Sequence, residues 1–306
     1  MIKSFDELIQ KAEKVKNRIK LISVRPYDES TLGAISKVCE WGNVIPVLVG
    51  ERKIIENEIE NSDLINLREV EIIDEVSEKD AVETAVKMIK DTGGILMKGN
   101  INTAVFLKTI VIEAKNDRKF VSHISLMEIP DFKKILMITD GTVNVYPELK
   151  IKIKIIENAR DLAISLGYEK PKIAVIGINE RLSINNKDLL ECAVISKMSD
   201  RGQIGNCYLD GPMPLDTAVS KKAAVNKKIT SPVGGDADII VCSNLESAAN
   251  LIKGLVHLGK AKTAGLLLGT GYPTVLTSRS DKLESKVISI SIALLNANQE
   301  LMNNES

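Results

Sequence analysis

Near its end, the sequence places a serine and an arginine where they could bind a phosphate group. In PTVLTSRSDKLES, residues 273–285, an apolar run stops at Ser278 and Arg279, just before a charged, helix-like stretch. Asp281 and Glu284 form a D-x-x-E capping-box pattern, so the serine and arginine fall in the turn between strand and helix. Main-chain N–H groups at a helix start, a hydroxyl and a planar guanidinium together suit a phosphate dianion. A surface arginine paired with one of the two carboxylates explains the same spacing equally well.

Three other stretches carry polar side chains next to apolar segments. They are LMKGNINT with Thr103, SHISLMEIP with His123 and Ser125, and ITDGTVNVYP with Asp140 and Asn144. Ligands of open α/β sheets gather at the carboxyl ends of strands, so each stretch is a candidate substrate site. Ordinary structural roles also stay open: an N-cap for the threonine, a hydrogen-bonded core position for the histidine, and turn chemistry for the aspartate and asparagine.

Carboxylates form a further group in CYLDGPMPLDTAVS and SPVGGDADII, namely Asp210, Asp216, Asp236 and Asp238. Such carboxylates could hold a divalent cation. In glycine- and proline-rich turns, aspartate more often serves as a turn or cap residue. We therefore expect no metal site at these positions.

Composition argues against several other classes of protein. Lysine plus arginine equals aspartate plus glutamate at 41 each, without a long block of one sign, so neither nucleic acid nor an anionic membrane is indicated as a partner. The four cysteines have no C-x-x-C spacing, which argues against a zinc site and against a disulfide framework. The amino-terminal sequence MIKSFDELIQ lacks the apolar core of a signal peptide. We expect a cytoplasmic enzyme that acts on small molecules.

The elements that must position these residues alternate between strands and helices. A chain of 306 residues is longer than one core usually supports, which predicts two domains. Short, branched apolar runs such as KLISV, IPVLVG and KIAVIG are typical of buried strands. Helical spacing separates them, for example from Ser4 to about Lys20, and from Pro147 to Gly167 despite the strand-like alternation of KIKIKII. The alternation predicts an α/β architecture with largely parallel strands.

Together, these stretches resemble the phosphate acetyltransferase and phosphate butyryltransferase family, and more strongly its butyryl branch. The matching stretches occur in family order, from the first predicted strand to the last predicted helix. They are LMKGNINT, SHISLMEIP, LMITDGTVNVYPELK, KMSDRGQIG, DGPMPLDTAVS, SPVGGDADII and PTVLTSRSD. So many motifs in one order make a chance match improbable.

The resemblance implies a fold shared with isocitrate and isopropylmalate dehydrogenases, in which two α/β/α domains surround a cleft. It places residues 1–131 and 265–306 in a discontinuous first domain, and residues 132–264 in the second. It also implies the reaction, a reversible transfer of a short-chain acyl group, butyryl preferred, between coenzyme A and inorganic phosphate in a ternary complex. Coenzyme A is then a substrate, no cofactor or metal is bound, and a homodimer or higher homo-oligomer is expected.

Within this reaction the candidate residues take different roles. Ser278 and Arg279 are assigned to the phosphoryl group as the catalytic residues. Four residues are assigned to substrate binding. Thr103 and Ser125 are assigned to the acyl phosphate, and His123 and Asn144 to the cleft wall or the oxyanion.

Three stretches depart from the family pattern. Members that transfer acetyl groups have an aspartate at the position of Ser285, as a candidate base toward the coenzyme A thiol. Butyryl-type members tend to have serine there, which supports butyryl transfer but leaves the base unassigned. Ala249 replaces a glycine in LESAAN, and Arg25-Pro26-Tyr27 replaces small residues in ISVRPYDE, so the lining of the cleft could differ.

Two other functions stay open at this point. One is a metal- and NAD-dependent hydroxyacid dehydrogenase of the same fold, with Asp210, Asp216 and Asp236 as its metal site. Dependence of activity on a divalent ion would favour it. The other is a non-catalytic acyl-coenzyme A binding protein, suggested by Ser285, which turnover in a thiol-release assay would exclude.

Overall fold

The structure is a computed structural model that describes residues 2–278 and 281–304. It contains two compact units. The central unit is Ser122–Thr263 together with residues 2–4. The N-terminal unit is Phe5–Val121 together with residues 264–278 and 281–304.

Strands and helices alternate along most of the chain, and the α/β class predicted from the sequence is confirmed. Numbered along the chain, the strands are β1 (Ile19–Val24), β2 (Val44–Gly50), β3 (Glu71–Asp74), β4 (Ile95–Lys98), β5 (Ser122–Glu128), β6 (Leu136–Thr139), β7 (Lys172–Ile176), β8 (Tyr208–Met213), β9 (Ile239–Val241), β10 (Lys262–Leu268) and β11 (Thr274–Val275). The helices are α1 (Phe5–Glu13), α2 (Glu29–Cys39), α3 (Arg52–Asn61), α4 (Glu78–Thr92), α5 (Thr103–Asn116), α6 (Leu149–Ser165), α7 (Lys187–Asp200), α8 (Leu215–Val219), α9 (Lys221–Asn226), α10 (Leu245–His257) and α11 (Leu283–Asn304).

The strands of the N-terminal unit lie in the order β3-β2-β1-β4-β11-β10. Neighbours from β3 to β11 are parallel, whereas β10, which begins in the last residues of the central unit, is antiparallel to β11. Val24 at the end of β1 pairs with Lys98 at the end of β4, and Val275 at the end of β11 pairs with Met97. The loops that follow β1, β4 and β11 therefore start side by side at one edge of the sheet.

Helix α11 packs on α1 and α2, which come from the other end of the sequence. Apolar side chains of α11 such as Val287, Ile288 and Ile292 are buried. Gly33 in α2 permits a close approach, because a Cβ at that position would lie only 2.7 Å from Leu283 Cδ1. The N-terminal unit therefore needs the last helix to cover its first two helices.

The strands of the central unit lie in the order β5-β6-β9-β7-β8. Strands β6, β9, β7 and β8 are parallel to their neighbours, whereas β5 is antiparallel to β6. The start of β5 therefore lies beside the end of β6, with Ile124 opposite Thr139. Side chains from these strands pack against α8 and α10 in one core, which includes Met127, Leu136, Ile138, Ala174, Met213, Ala218, Ile240 and Ala248.

Two of the predicted helices can be compared with the structure. The first ends at Glu13 rather than near Lys20. Asn43 Nδ2 donates to the main-chain oxygens of Ala12 and Val15 at 2.9 and 3.0 Å, and these bonds satisfy carbonyl groups that a helix end leaves open. The helix predicted from Pro147 is confirmed; it begins at Leu149 and includes KIKIKII.

The chain passes from the N-terminal unit to the central unit between residues 121 and 122, whereas the sequence-based assignment ended the first domain at residue 131. Strand β5 groups with the central unit because it pairs with β6. The chain returns to the N-terminal unit between residues 263 and 264. The division into two functional domains, with residues 1–131 and 265–306 in one and residues 132–264 in the other, stays a prediction.

Candidate active site

Ser278 follows β11 at the edge of the N-terminal unit where the parallel strands end. Its N–H group donates to Asp281 Oδ2 at 2.7 Å, and the N–H group of Asp281 donates to the Ser278 carbonyl oxygen at 3.1 Å. Helix α11 begins at Leu283, so Asp281 bonds backward to the serine, a contact that the capping-box pattern did not indicate. Arg279, predicted as the second catalytic residue, lies outside the described residues.

Thr103 is the first residue of α5 and follows β4 at the same edge. The N-cap is Asn102, whose side chain accepts from the N–H group of the second helical residue at 2.8 Å, so the helix start does not use the threonine as its cap. The chain passes close to the β1 loop here, because a Cβ at Gly99 would lie 2.5 Å from the Arg25 main-chain oxygen. The N-terminal unit thus brings the loops of Thr103 and Ser278 to one edge of its sheet.

Two buried lysines, Lys98 and Lys286, belong to the same edge, and each is only 2% exposed. Lys286 Nζ lies 2.9 Å from Asp28 Oδ1, 2.6 Å from Ser30 Oγ and 2.8 Å from Thr31 Oγ1, all in the loop and first turn after β1. Lys98 Nζ donates to the carbonyl oxygen of the glycine that follows it at 3.2 Å. The sequence analysis identified neither lysine as a site residue. For Lys98, the available signal was a lysine inside the apolar run ILMKG.

The carboxylates beside these lysines have shifted pKa values. Burial raises the pKa of Asp281, and the hydrogen bond from Ser278 and the positive charges of Lys286 and Lys98 oppose that rise in part. Burial also acts to raise the pKa of Asp28, but hydrogen bonds from its hydroxyl neighbours and Lys286 outweigh it, so this pKa is lowered. This edge therefore holds two buried lysines together with the carboxylates of Asp28 and Asp281.

In the central unit, Asp140 directly follows β6 and is buried. Its Oδ1 accepts from the N–H groups of Thr142 and Val143, each at 2.9 Å. Its Oδ2 accepts from Asn144 Nδ2 at 2.6 Å. One carboxylate therefore shapes the loop after β6 and fixes the amide of Asn144, a predicted substrate-binding residue.

His123 lies in β5 beside this loop, and Thr139 Oγ1 donates to its carbonyl oxygen at 2.7 Å. The imidazole is buried, and among the described residues its Nδ1 atom has no hydrogen-bond partner. Burial lowers the pKa of His123 and the nearby Asp140 carboxylate opposes this, so the net shift favours the neutral ring. Ser125 is also buried and faces the same side of the strand as the histidine. The central unit thus gathers three of the predicted residues near one loop.

The four carboxylates considered as metal ligands bond to other groups. Among residues 2–278 and 281–304, no three His, Cys, Asp or Glu side chains are grouped so that they could hold a metal ion. Their partners include Lys134 Nζ for Asp236 (2.9 Å) and for Asp238 (2.7 Å), Lys227 Nζ for Asp216 (3.0 Å), and Ser196 Oγ for Asp210 (3.2 Å).

The fold and these polar edges are those of an α/β enzyme that binds small, anionic substrates. No helix in the described part of the chain is long and apolar enough to cross a membrane. A family profile described as phosphate acetyl/butaryl transferase matches residues 79–294. The chain therefore belongs to the phosphate acetyl- and butyryltransferase family, and the resemblance predicted from its ordered motifs is confirmed.

Relatives of both acyl types are similar to this chain along most of its length. Phosphate butyryltransferase of Clostridium beijerinckii is 37% identical over 298 residues, which cover 96% of this chain and 98% of that protein. Phosphate acetyltransferase of Thermotoga maritima is 40% identical over 260 residues, which cover 84% and 86%. The crystal structure of a branched-chain phosphotransacylase from Enterococcus faecalis V583 matches with a TM-score of 0.79 at 26% identity, covering 91% of this chain and 99% of that one. The protein is an enzyme, a phosphate acyltransferase.

Proposed function

We propose that this enzyme moves a short-chain acyl group, butyryl preferred, reversibly between coenzyme A and inorganic phosphate while both substrates are bound. The observation that carries the proposal is the similarity to a phosphate butyryltransferase over 96% of the chain. The edge with Ser278 and two buried lysines supports it, because that edge suits a phosphoryl group. Coenzyme A is a substrate in this proposal, and no prosthetic group or metal takes part.

In one direction, the thiolate of coenzyme A attacks the carbonyl carbon of an acyl phosphate. A tetrahedral oxyanion forms, and the bond from carbon to the phosphate oxygen then breaks, so that phosphate leaves as an anion. A free thiol has a pKa of roughly 8.5, so only modest help with its deprotonation is needed at neutral pH. The protein therefore contributes mainly by holding both reactants together and by donating hydrogen bonds to developing negative charge.

The proposed roles keep the assignments made from the sequence. Ser278, at the edge of the N-terminal unit, and Arg279, which follows it in the chain, bind the phosphoryl group. Thr103 lies in the neighbouring loop and binds the acyl phosphate, as Ser125 does from β5.

His123 and Asn144 line the substrate site or donate to the oxyanion. A neutral imidazole, which the burial of His123 favours, carries one N–H donor and one acceptor nitrogen. Asn144 is held in place because its amide Nδ2 donates to the buried Asp140 carboxylate at 2.6 Å. The Asn144 amide is thereby fixed before substrate binds, which is what stabilisation of a developing charge requires.

The finer organisation belongs to the same proposal. We expect two α/β/α domains around a substrate cleft, as in isocitrate and isopropylmalate dehydrogenases, and a cytoplasmic homodimer or larger homo-oligomer. The partners are then small molecules, acyl-coenzyme A and phosphate, without nucleic acid or membrane.

The purified protein is expected to release free thiol from butyryl-coenzyme A only when phosphate is present. Phosphate is the acyl acceptor in this direction, so without it no coenzyme A can be formed by transfer. The candidate metal ligands bond to lysines and a serine, so a chelator is expected to leave the rate unchanged. The measurement is the initial rate of thiol release with and without phosphate, and with and without chelator.

Each alternative function gives a different result in this assay. Equal thiol release without phosphate would indicate hydrolysis and would contradict the proposal. Complete loss of activity with the chelator would favour the metal-dependent dehydrogenase. Binding of butyryl-coenzyme A without any thiol release would favour the non-catalytic binding protein.

Butyryl-coenzyme A is expected to be a better substrate than acetyl-coenzyme A by about tenfold or more in kcat/KM. A hydrophobic pocket separates substrates by roughly 1 to 3 kcal/mol per methylene, and the sequence has the butyryl-type serine at Ser285. A series of acyl-coenzyme A substrates of increasing chain length, assayed at fixed phosphate, measures the preference. A higher kcat/KM for the acetyl substrate would show that the protein belongs with the acetyl-transferring members.

A further inference from the structure

Ser278 and Asp281 are joined by two hydrogen bonds that run in opposite directions, one to the Asp281 carboxylate and one between main-chain groups. The Ser278 N–H group donates to the Asp281 carboxylate at 2.7 Å, and the Asp281 N–H group donates to the Ser278 carbonyl oxygen at 3.1 Å. A charged acceptor makes the first bond stronger than a bond between neutral groups. The N–H and C=O groups of Ser278 are thus both engaged by one residue.

The Asp281 carboxylate is partly buried, and two lysines act on its charge. The positive charges of Lys286, in α11, and of Lys98, at the end of β4, oppose the rise in the pKa of Asp281 that burial causes. Lys286 also bonds to Asp28 and to the hydroxyls that follow it in the loop and first turn after β1. Lys286 therefore joins the start of α11 to the loop after β1.

We propose that Asp281 is a positioning residue for acyl transfer, because its carboxylate fixes the main chain of Ser278 just before helix α11. This inference rests on the proposed function of Ser278, and it gives Asp281 no contact with substrate. Displacement of a catalytic group by about 1 Å can cost on the order of a hundredfold in rate, so a fixed serine matters to turnover.

A purely structural helix cap is the alternative role for Asp281. A cap would bond forward to the N–H groups of the first helical turn, whereas the observed Oδ2 contact is with Ser278, which precedes the helix that begins at Leu283. Loss of a cap would lower stability and leave the kinetics of the folded protein unchanged. The two roles therefore predict different kcat values for the Asp281→Ala variant.

The experiment compares Asp281→Ala and Asp281→Asn with a control, Asp80→Asn, an exposed acidic residue in the first turn of α4 of the same unit. We expect Asp281→Ala to lower kcat about fivefold to tenfold, with little change in KM for coenzyme A, because binding groups stay and only the placement of Ser278 changes. Asp281→Asn keeps an oxygen that accepts the Ser278 N–H bond, so most of the activity is expected to return. Asp80→Asn is expected to behave as wild type.

Hydrogen exchange of the peptide that contains Ser278 provides a second readout that does not depend on turnover. We expect faster exchange in this peptide for Asp281→Ala, and wild-type exchange for Asp281→Asn and Asp80→Asn. If the wild-type protein shows no phosphate-dependent turnover, the proposed function fails, and exchange alone then decides whether Asp281 fixes Ser278.

Three results would overturn the inference. The first is wild-type kcat in Asp281→Ala. The second is an equal loss of kcat in the alanine and asparagine variants, which would indicate that the charge itself is needed in the reaction. The third is unchanged exchange at Ser278 in Asp281→Ala.

Discussion

Replacing Arg279 by alanine is expected to lower kcat/KM for phosphate about a hundredfold. Arginine offers two parallel N–H groups to a phosphate, and a hydrogen bond to a charged group contributes about 1.5 to 3 kcal/mol. Loss of at least about tenfold, on the order of 1.4 kcal/mol, is the smallest effect that the proposed role allows. Initial rates with phosphate as the varied substrate, on protein with an unchanged melting temperature, measure it.

Arg279→Lys separates charge from geometry. Lysine keeps the charge but presents a point charge instead of a planar fork, so only part of the activity is expected to return. Arg68→Ala is a matched control, because Arg68 pairs with Asp63 at 3.3 Å on the exposed surface of the same unit. If Arg279 makes only such a surface pair, its alanine variant will match this control, with a change under about 1 kcal/mol in stability and wild-type kinetics.

Lys286→Met is expected to lower the free energy of unfolding of the N-terminal unit by about 3 kcal/mol. Lys286 is 2% exposed and Asp28 is 31% exposed, so removal of the ammonium group leaves a partly buried carboxylate without its ion partner. The single tryptophan, Trp41, lies just after α2, the helix that Asp28 caps. Denaturant unfolding followed by Trp41 fluorescence therefore reports on this unit.

The direction in which the pKa of Asp28 is shifted determines the pH at which the unfolding of Lys286→Met is measured. The pKa of Asp28 is lowered in the folded protein, so its contribution to stability is present above the ordinary carboxyl value of 3.8 and is lost as the pH falls through the lowered value. The unfolding experiment is therefore carried out near neutral pH. Lys282→Met, an exposed lysine just before α11, is the control, and it is expected to change stability by less than about 0.5 kcal/mol. An equal effect of both substitutions would contradict the importance of the buried pair.

Local patterns in the sequence predicted the fold class and most of the elements. Branched apolar runs such as IPVLVG formed buried strands, and the helical spacing after Pro147 prevailed over the alternation of KIKIKII. The end of α1 was not predictable in this way, because Asn43, which bonds to its last carbonyl groups, lies about thirty residues further along the chain. Strand and helix types depend on neighbours in sequence, whereas their ends depend on tertiary contacts.

The candidate site also has features that nearby residues determine and features that depend on distant contacts. The loop from Asp140 to Asn144 is held by bonds within five residues, and its polar pattern marked it in the sequence. Lys286 and Asp28 are 258 positions apart, and no local pattern links them. The nearness of His123 to Asp140 likewise depends on the antiparallel pairing of β5 with β6, which a short apolar strand does not specify by itself.

The packing of α11 on α1 and α2 also sets an order in which the protein can mature on the ribosome. The first 121 residues emerge with the contact surfaces of α1 and α2 uncovered and with the β11 side of β4 unpaired. Residues 122–263 form a compact unit, and all of them are synthesised before β11. The first 121 residues of the nascent chain therefore stay incompletely packed until the last helix is made, and during that interval their exposed apolar surface and strand edge are targets for chaperones and for aggregation.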